Sequence, residues 1–232
     1  MNSSSLTDAI AAAQAELVVH LADTPALVEQ AYRLRHQVYC LERGYEPSVN
    51  ELETDAYDRH ARHVVLCLRG CGTVIGTVRM ILPQAGQLTR SFPMQAVCDG
   101  EALGAVPLRS AVEVSRFAVS KERRNISPAA AGLSRLALVR GLVQLSQQVG
   151  VTHWCAVMER TLLRLLRSSG IHFEAVGPLV EYHGLRQPAF CELAGMLDRM
   201  RAEQPEIWDF VTNEGQFVSS PSPSHSRALQ AA

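Results

Sequence analysis

The order of strand-like and helical segments constrains the fold of this chain more than any other feature of its sequence. Continuous or alternating apolar runs predict strands, and apolar residues at helical spacing predict helices. Strands are predicted at Leu17–Leu21, 63–68, 73–82, Ala111–Val119, 152–158, 173–182 and 186–193. Helices are predicted at 7–15, 24–43, Pro128–Val149 and 161–168, with a short helix near 92–97. This order predicts an α/β chain with a mixed sheet and helices on both of its faces.

Local signals sharpen the boundaries of these elements. Thr24 and Pro25 are typical of a helix start, and the glycines in 70–72 predict a hairpin turn. The chain is divided into an N-terminal helical extension (1–15), one central domain (16–213) and a disordered tail (214–232), the last from its Ser- and Pro-rich composition.

Charge and cysteine content exclude several classes of protein. The 22 basic and 23 acidic side chains give a net charge of −1, so no overall positive field attracts nucleic acid. No apolar stretch is long enough to cross a membrane, and the N-terminus lacks the basic start of a signal peptide. Six irregularly spaced cysteines predict reduced thiols. We therefore expect a cytoplasmic protein without transmembrane segments or nucleic acid partners.

Charged residues on predicted strands indicate a site. Arg79 interrupts an apolar strand, and Glu113 and Arg116 lie on another. An unpaired buried charge is costly, so Arg79 needs a partner, and Asp55, Asp58 and Glu113 are the nearest candidates. Bidentate pairs between arginine and carboxylate would hold the acidic loop over the sheet. The alternative is a purely structural network of ion pairs.

Strand geometry also assigns directions to the side chains of the strand Ala111–Val119. Because successive side chains alternate between faces, Glu113, Ser115 and Phe117 are expected on one face. Val114, Arg116 and Ala118 are expected on the other.

Four motifs together resemble a known family: YRLRHQVYCLERGYE from residue 32, DAYDRHARH from 55, EVSRFAVS from 113 and EYHGLRQP from 181. Their order and spacing resemble acyl-homoserine-lactone (autoinducer) synthases. They are more similar to the related N-acyl amino acid synthases and the acyltransferases associated with PEP-CTERM/exosortase systems. The resemblance covers roughly residues 18–193. It implies the GNAT acyl-CoA N-acyltransferase fold, a mixed sheet splayed at its centre with the thioester arm entering the splay.

This resemblance implies transfer of a medium or long acyl chain from acyl carrier protein to the amine of an amino acid or a similar small amine. The lactone synthases carry a tryptophan where this chain has Tyr45, which weakens the lactone synthase alternative. A glycine-rich pyrophosphate loop at a helix start, usual in acetyltransferases of this fold, is absent from KERRNISPAAAGLSRL (121–136). We therefore expect acyl carrier protein as the donor, with coenzyme A as the alternative donor, and no other cofactor and no metal.

Roles follow for individual residues. An amine attacks a thioester only when neutral, so Glu113 is the candidate base, with Arg116 and Ser115 beside it. Backbone N–H groups near residues 117–119 are the expected oxyanion donors. The expected substrate-binding residues are Arg35, Tyr39, Asp55, Asp58, Arg79, Phe117 and Val119. The basic run Lys121, Arg123 and Arg124 is a candidate docking patch for an acidic carrier protein, its alternative being a solvated turn.

Other interpretations remain open at this stage. The set His60, His63, Cys67 and Cys71 has an unusual spacing for zinc. Cys155 with His153 is a conceivable nucleophile pair, although nothing marks an activated thiol. A further alternative is a non-catalytic module of the same fold that binds an acyl chain or a partner.

Overall fold

The computed structural model of this chain describes residues 3–47, 50–104 and 106–218. Within these ranges the strands are β1 (Leu17–Leu21), β2 (Ala61–Leu68), β3 (Val74–Ile81), β4 (Ala111–Val119), β5 (His153–Met158), β6 (Glu174–Ala175), β7 (Val180–Glu181) and β8 (Leu185–Glu192). The helices are α1 (Ser3–Glu16), α2 (Pro25–Arg35), α3 (Met94–Val97), α4 (Gly100–Leu103), α5 (Pro128–Val149), α6 (Arg160–Arg167), α7 (Leu193–Glu203) and α8 (Pro205–Thr212). A π-helix, His36–Glu42, continues α2, and 3₁₀ helices form at Ala56–His60, Leu88–Arg90 and Lys121–Asn125.

The strands form one mixed sheet in the order β1-β2-β3-β4-β5-β8-β6, with β7 paired to β8. Neighbouring strands are antiparallel except β4 and β5, which are parallel. These two central strands pair only over residues 111–113 and 153–155, and they diverge beyond that point. This divergence confirms the splayed central sheet that the family resemblance implies. The place where the strands separate is called the fork below.

Helices cover both faces of the sheet, as the element order predicts. Along β2, Val64 and Leu66 belong to the main core, which includes much of α5, whereas Val65 and Cys67 pack in a second cluster with Ala31 of α2. This alternation follows from the two-residue period of a strand. Helix α5 is the crossover that joins the parallel strands β4 and β5.

Helix α5 approaches the sheet closely. It begins with Ser127 as its N-cap and Pro128 in the first turn, and it ends at Gly150, whose φ of 69° is left-handed. Its Gly141 lies against β2, where a β-carbon would clash with Cγ1 of Val64. A larger residue at 141 would therefore push the crossover helix away from the strands that form the fork.

Both ends of the described chain pack on this core. The first helix, α1, contacts α5 and buries Ala9 and Ala13. The sequence patterns missed α7 and α8, which bury Met196 and Phe210 in the main core. The boundary of the predicted tail at residue 214 is wrong, because Phe217 still packs against the core. The rest of that prediction, 219–232, lies outside the described residues.

Within the described ranges, no helix is both long and apolar enough to cross a bilayer.

Candidate active site

A cavity of about 290 Å³ lies at the fork between β4 and β5, near the lower end of the range for small-molecule sites. Its deep wall is apolar and comes from α5, β5, α6 and the segment after α6. The side chains of this wall are Val139, Leu142, Trp154, Leu162, Leu166, Ile171 and Phe173. Its more exposed wall is polar and comprises Tyr39, Tyr45, Glu46, Tyr182, His183 and Arg186. The cavity thus has an apolar part, called the apolar channel below, and a polar part, called the polar chamber.

Strand β4 carries a bulge where it lines the cavity. Thr77 of β3 pairs with Ala118, and Arg79 pairs with Ser115, so the register shifts between these two pairs. Arg116 lies within the shift and has a φ of 50°, a conformation that non-glycine residues rarely adopt. Bulges of this kind are over-represented next to active sites. The predicted alternation is therefore wrong at Arg116. Its guanidinium lies in the same charged cluster as Arg79 and Ser115, whereas strict alternation places it on the opposite face of the strand.

A buried network of ion pairs braces this part of the sheet. Arg35 donates from Nη1 and Nη2 to the two carboxylate oxygens of Asp58, at 2.7 and 3.1 Å. Arg79 Nη1 donates to Asp55 at 2.6 Å and to Asp58 at 3.0 Å. Burial by itself raises the pKa of Asp58, but the hydrogen bonds and charge of Arg35, and then the charge of Arg79, hold it well below its usual range. Opposite charges in this network therefore compensate one another.

Glu53 connects this network to β4. Arg116 donates from Nε and Nη2 to Glu53 Oε1 at 3.1 and 3.0 Å, and Arg35 Nε also donates to Glu53. The guanidinium of Arg116 lies 5.5 Å from the centre of the Tyr39 ring, and its Nη2 is 3.4 Å from Asp55. Sequence reasoning missed Glu53. Glu53 lies in the acidic loop, and it takes the place of Glu113, which was expected as a third carboxylate partner of these arginines.

Glu113 lies at the last residue pair before the fork opens and is only 1% exposed. The N–H of Met94 donates to its Oε2 at 2.8 Å, and none of the arginines described lies within ion-pair distance of it. Burial raises the pKa of Glu113 to about 8, while the Met94 N–H and the charge of Arg79 lower it. A carboxyl group with a pKa in this range exchanges protons near physiological pH.

The predicted site residues separate into two groups. Those that line the cavity are Glu113, Ser115, Arg116, Tyr39, Phe117 and Val119. Arg35, Asp55, Asp58 and Arg79 do not line it and belong to the ion-pair network, and their direct contact with substrate stays a prediction. Arg79 reaches the cavity wall through Ser115, whose Oγ accepts a hydrogen bond from Arg79 Nε at 3.0 Å.

The hairpin formed by β7 and β8 supplies cavity residues that sequence reasoning quoted in a motif but assigned no role. Tyr182 and His183 line the cavity, and His183 Nε2 lies 3.6 Å from Glu46 Oε1 across its polar side. Arg186 forms an ion pair with Glu159 at the end of β5. These two contacts hold the hairpin against the loop that carries Glu46 and against the end of β5.

His63 is buried beside the ion-pair network. It is the strand partner of Arg79, and its Nε2 lies 3.7 Å from Asp58 Oδ1. Neither ring nitrogen has a hydrogen-bond partner among the described residues. Burial, and then the positive charge of Arg35, lower the pKa of His63 to about 4. The ring is therefore neutral at physiological pH.

The geometry disfavours the metal and thiol alternatives. Among the described residues, no group of three or more His, Cys, Asp or Glu side chains is arranged to hold a metal ion. His60 contacts the carbonyl of Ser91, away from His63. The Cys155 thiol donates to the carbonyl of Val112, and burial raises its pKa well above the usual value. An activated thiolate needs the opposite shift.

The predicted docking patch lies in the 3₁₀ helix that follows β4. Lys121 is exposed, and its N–H donates to Glu42 Oε1 at 3.3 Å. Arg123 is partly exposed in the same helix. The side chain of Arg124 lies outside the described part of the structure.

Comparison with known families identifies the class of this fold. Residues 34–133, from the end of α2 into α5, match the model of the acetyltransferase (GNAT) domain. The chain carries a GNAT acetyltransferase domain. The matched segment of this GNAT domain includes the ion-pair network, the bulged strand and Glu113, and the class of activity is acyl transfer. No curated protein matches the sequence of this chain.

Solved structures of synthases share the GNAT fold. TofI, crystallised in a ternary complex with an inhibitor and MTA, is 23% identical with a TM-score of 0.56, covering 79% of this chain and 96% of TofI. BjaI, a CoA-dependent acyl-homoserine lactone synthase solved with SAM and isopentyl-CoA, is 20% identical with a TM-score of 0.58, covering 89% and 90%. FeeM, an N-acyl amino acid synthase from uncultured soil microbes, is 16% identical with a TM-score of 0.57, covering 81% and 97%. The suspected family relationship is confirmed at the level of the fold.

Proposed function

We propose that this chain is an N-acyltransferase that moves a medium or long acyl chain from acyl carrier protein to the amine of an amino acid or similar small amine. The observation that carries the proposal is the buried Glu113 carboxyl, which lines the cavity at the fork and has no arginine partner among the described residues. With the thioester carbonyl next to Glu113, the acyl chain would lie along the apolar channel. The acceptor amine then occupies the chamber, next to Glu113.

Proton balance gives Glu113 its role. The neutral amine attacks the thioester carbonyl, a C–N bond forms, and the nitrogen must lose a proton. The ionised Glu113 accepts that proton directly or through one water. The C–S bond then breaks, and the proton returns from Glu113 to the departing thiolate. A base with a pKa near the working pH is suited to both steps.

The bulged strand provides the second element of this chemistry. Beyond Glu113, the edge of β4 that faces β5 has no strand partner, so its backbone groups border the cavity. N–H groups near residues 117–119 would donate to the tetrahedral oxyanion. Arg116 and Ser115 hold this strand in place through Glu53 and Arg79.

Charge complementarity supports the carrier protein as donor. An acidic carrier surface is attracted to exposed basic side chains, and Lys121, Arg123 and Arg124 follow β4 directly. We expect kcat/KM to be higher with acyl carrier protein than with acyl coenzyme A of equal chain length. The preference should shrink as salt rises, because exposed charges are screened beyond about 10 Å at 0.1 M salt.

A coupled assay tests the proposal. The purified protein is given acyl carrier protein or acyl coenzyme A of several chain lengths, together with amino acids, small amines or S-adenosylmethionine. Thiol release is followed, and the product is identified by mass spectrometry. We expect stoichiometric thiol release and an N-acylated amino acid. Product only with S-adenosylmethionine would indicate a lactone synthase, and thiol release at the uncatalysed rate would indicate a non-catalytic acyl-binding module.

A further inference from the structure

Two arginines line the cavity, and a third lies close enough for its charge to act on one of them. Arg43 follows the π-helix, Arg123 lies in the 3₁₀ helix Lys121–Asn125, and Arg135 lies on α5. Arg43 and Arg135 line the cavity. In the described ranges, none of the three forms an ion pair with a carboxylate. These three residues are called the arginine triad below.

Local contacts join the segments that carry Arg43 and Arg123. Glu42 accepts a hydrogen bond from the N–H of Lys121, which joins the end of the π-helix to the start of the 3₁₀ helix. The guanidinium of Arg43 lies 5.6 Å from the centre of the Tyr45 ring. Burial, and then the positive charges of Arg123 and Arg43, lower the pKa of Arg135. Like charges held in proximity repel one another, and a bound anion removes that cost.

The start of α5 is the obvious competing site for an anion, because helix N-termini attract phosphates. In this chain that site already has partners. Ser127 Oγ accepts from the N–H of Ala130 at 3.2 Å, and Pro128 has no N–H to donate. The carboxylate of Glu16 accepts from the N–H of Ser127 at 3.0 Å. A second anion at this position would be repelled by Glu16, whereas the arginine triad has no anion of its own.

We propose that Arg43, Arg123 and Arg135 bind the phosphate of the phosphopantetheine arm that carries the acyl thioester. The guanidinium groups take the place of the glycine-rich helix start that the sequence lacks. This inference rests on the proposed function, because it requires a thioester donor with this arm. Acyl carrier protein and coenzyme A both contain the phosphate, so the arginine triad serves either donor.

Binding of two matched donors tests the inference. The dissociation constants of octanoyl-phosphopantetheine and octanoyl-pantetheine are measured by calorimetry without acceptor. We expect wild type to bind the phosphorylated form about 10-fold more tightly, as a charged hydrogen-bonded contact predicts. Arg135→Gln should reduce this preference to about two-fold or less. The control Arg167→Gln, an exposed arginine on α6, should keep it. Equal binding of both forms by wild type, or an unchanged preference in Arg135→Gln, would overturn the inference.

One further variant and one further assay separate the possible sources of the phosphate preference. If the start of α5 held the phosphate, Glu16→Gln would strengthen binding of the phosphorylated form by removing a negative charge. The arginine triad predicts a change of less than about two-fold. In transfer assays, Arg135→Gln should raise KM for octanoyl-coenzyme A and for octanoyl-carrier protein alike. An effect confined to coenzyme A would assign the arginines to its adenosine phosphates and overturn the inference.

Failure of the inference and failure of the proposed function give different results. Transfer from octanoyl-pantetheine as efficient as from octanoyl-phosphopantetheine would overturn the role of the arginine triad and leave the acyltransferase intact. Absence of transfer from every donor, with the phosphate preference in binding retained, would overturn the proposed function and support the arginine triad.

Discussion

Asp58 and Glu113 are both buried carboxylates near the fork, but their surroundings differ. Asp58 accepts hydrogen bonds from Arg35, Arg79 and the N–H of Asp55, and its pKa lies well below its usual range. Glu113 accepts from the N–H of Met94, and burial raises its pKa to about 8. Burial alone therefore does not decide the state of a carboxyl group, since neighbouring charges reverse its effect.

These different surroundings give the two carboxylates different roles in the site. The compensated charges around Asp58 hold the acidic loop on the sheet and fix the strand that lines the cavity. The carboxyl of Glu113 lacks such partners and keeps a proton that it can exchange. We therefore expect substitutions in the ion-pair network to affect stability first, and substitution of Glu113 to affect catalysis first.

The largest effect is expected for Glu113→Gln, which keeps the shape of the side chain and removes the base. We expect turnover to fall by about 10²–10⁴-fold with the fold retained. Thiol release at saturating amine gives the rate, and thermal melting gives the stability. Glu174→Gln, an exposed carboxyl on β6, is the control. A rate within a few-fold of wild type would mean that another group accepts the proton.

Asp58→Asn tests whether the ion-pair network mainly stabilises the fold. It leaves Arg35 and Arg79 without their shared carboxylate, and removing one partner of a buried pair costs about 3–5 kcal/mol. Urea unfolding should show this loss, and Asp198→Asn on the exposed side of α7 should not. From the sequence alone, Asp58 is expected to shape the acceptor pocket and to matter more for rate than for stability. Wild-type stability with a large loss of rate would restore that interpretation.

The pH dependence of stability separates the two carboxylates further. The folded pKa of Glu113 is about 8, above its ordinary value of 4.5. Between these values the unfolded chain ionises while the folded chain keeps its proton, so this group makes the protein less stable as pH rises. Glu113→Gln removes that loss and should gain stability over wild type, by roughly 3 kcal/mol, between pH 5 and 8. A constant difference between the two proteins across this range would contradict the raised pKa.

His63 gives a smaller effect of opposite direction. Its folded pKa of about 4 lies below its ordinary value of 6.5. As pH falls through this window, the unfolded chain binds a proton that the folded chain does not, and stability is lost. We expect His63→Phe to lack this loss, about 2 kcal/mol between pH 6.5 and 4.5. Melting temperatures of both proteins across this range provide the measurement, and parallel curves would show that His63 does not titrate as expected.

Much of the fold was predictable because local patterns and tertiary structure agree. The strand Ala111–Val119 and the helix Pro128–Val149 have the predicted bounds, since their apolar periodicity coincides with burial. Helices α7 and α8 were missed, because no comparably long periodic pattern marks them. The family resemblance, rather than any local pattern, implied the splayed sheet.

The sequence predicted which residues form the site better than it predicted how these residues are arranged. Glu113, Arg116 and Ser115 do line one cavity. The bulge at Arg116 was not predictable from alternation, because it depends on the register between β3 and β4. The role of Glu53 also depends on tertiary structure, since it lies 63 residues from Arg116 in the sequence. The hairpin side chains Tyr182 and His183 come from still more distant sequence.

We expect Glu113 to keep a proton until near pH 8 while Glu53, Asp55 and Asp58, whose pKa values are lowered, are ionised. Infrared difference spectroscopy of wild type against Glu113→Gln, in the carbonyl-stretch region of protonated carboxyl groups, measures this directly. We predict a carboxyl band that disappears with an apparent pKa of about 8 and is absent from the variant. If all bands of protonated carboxyl groups have disappeared once the pH is raised to about 6, and wild type and variant titrate identically, the account is contradicted.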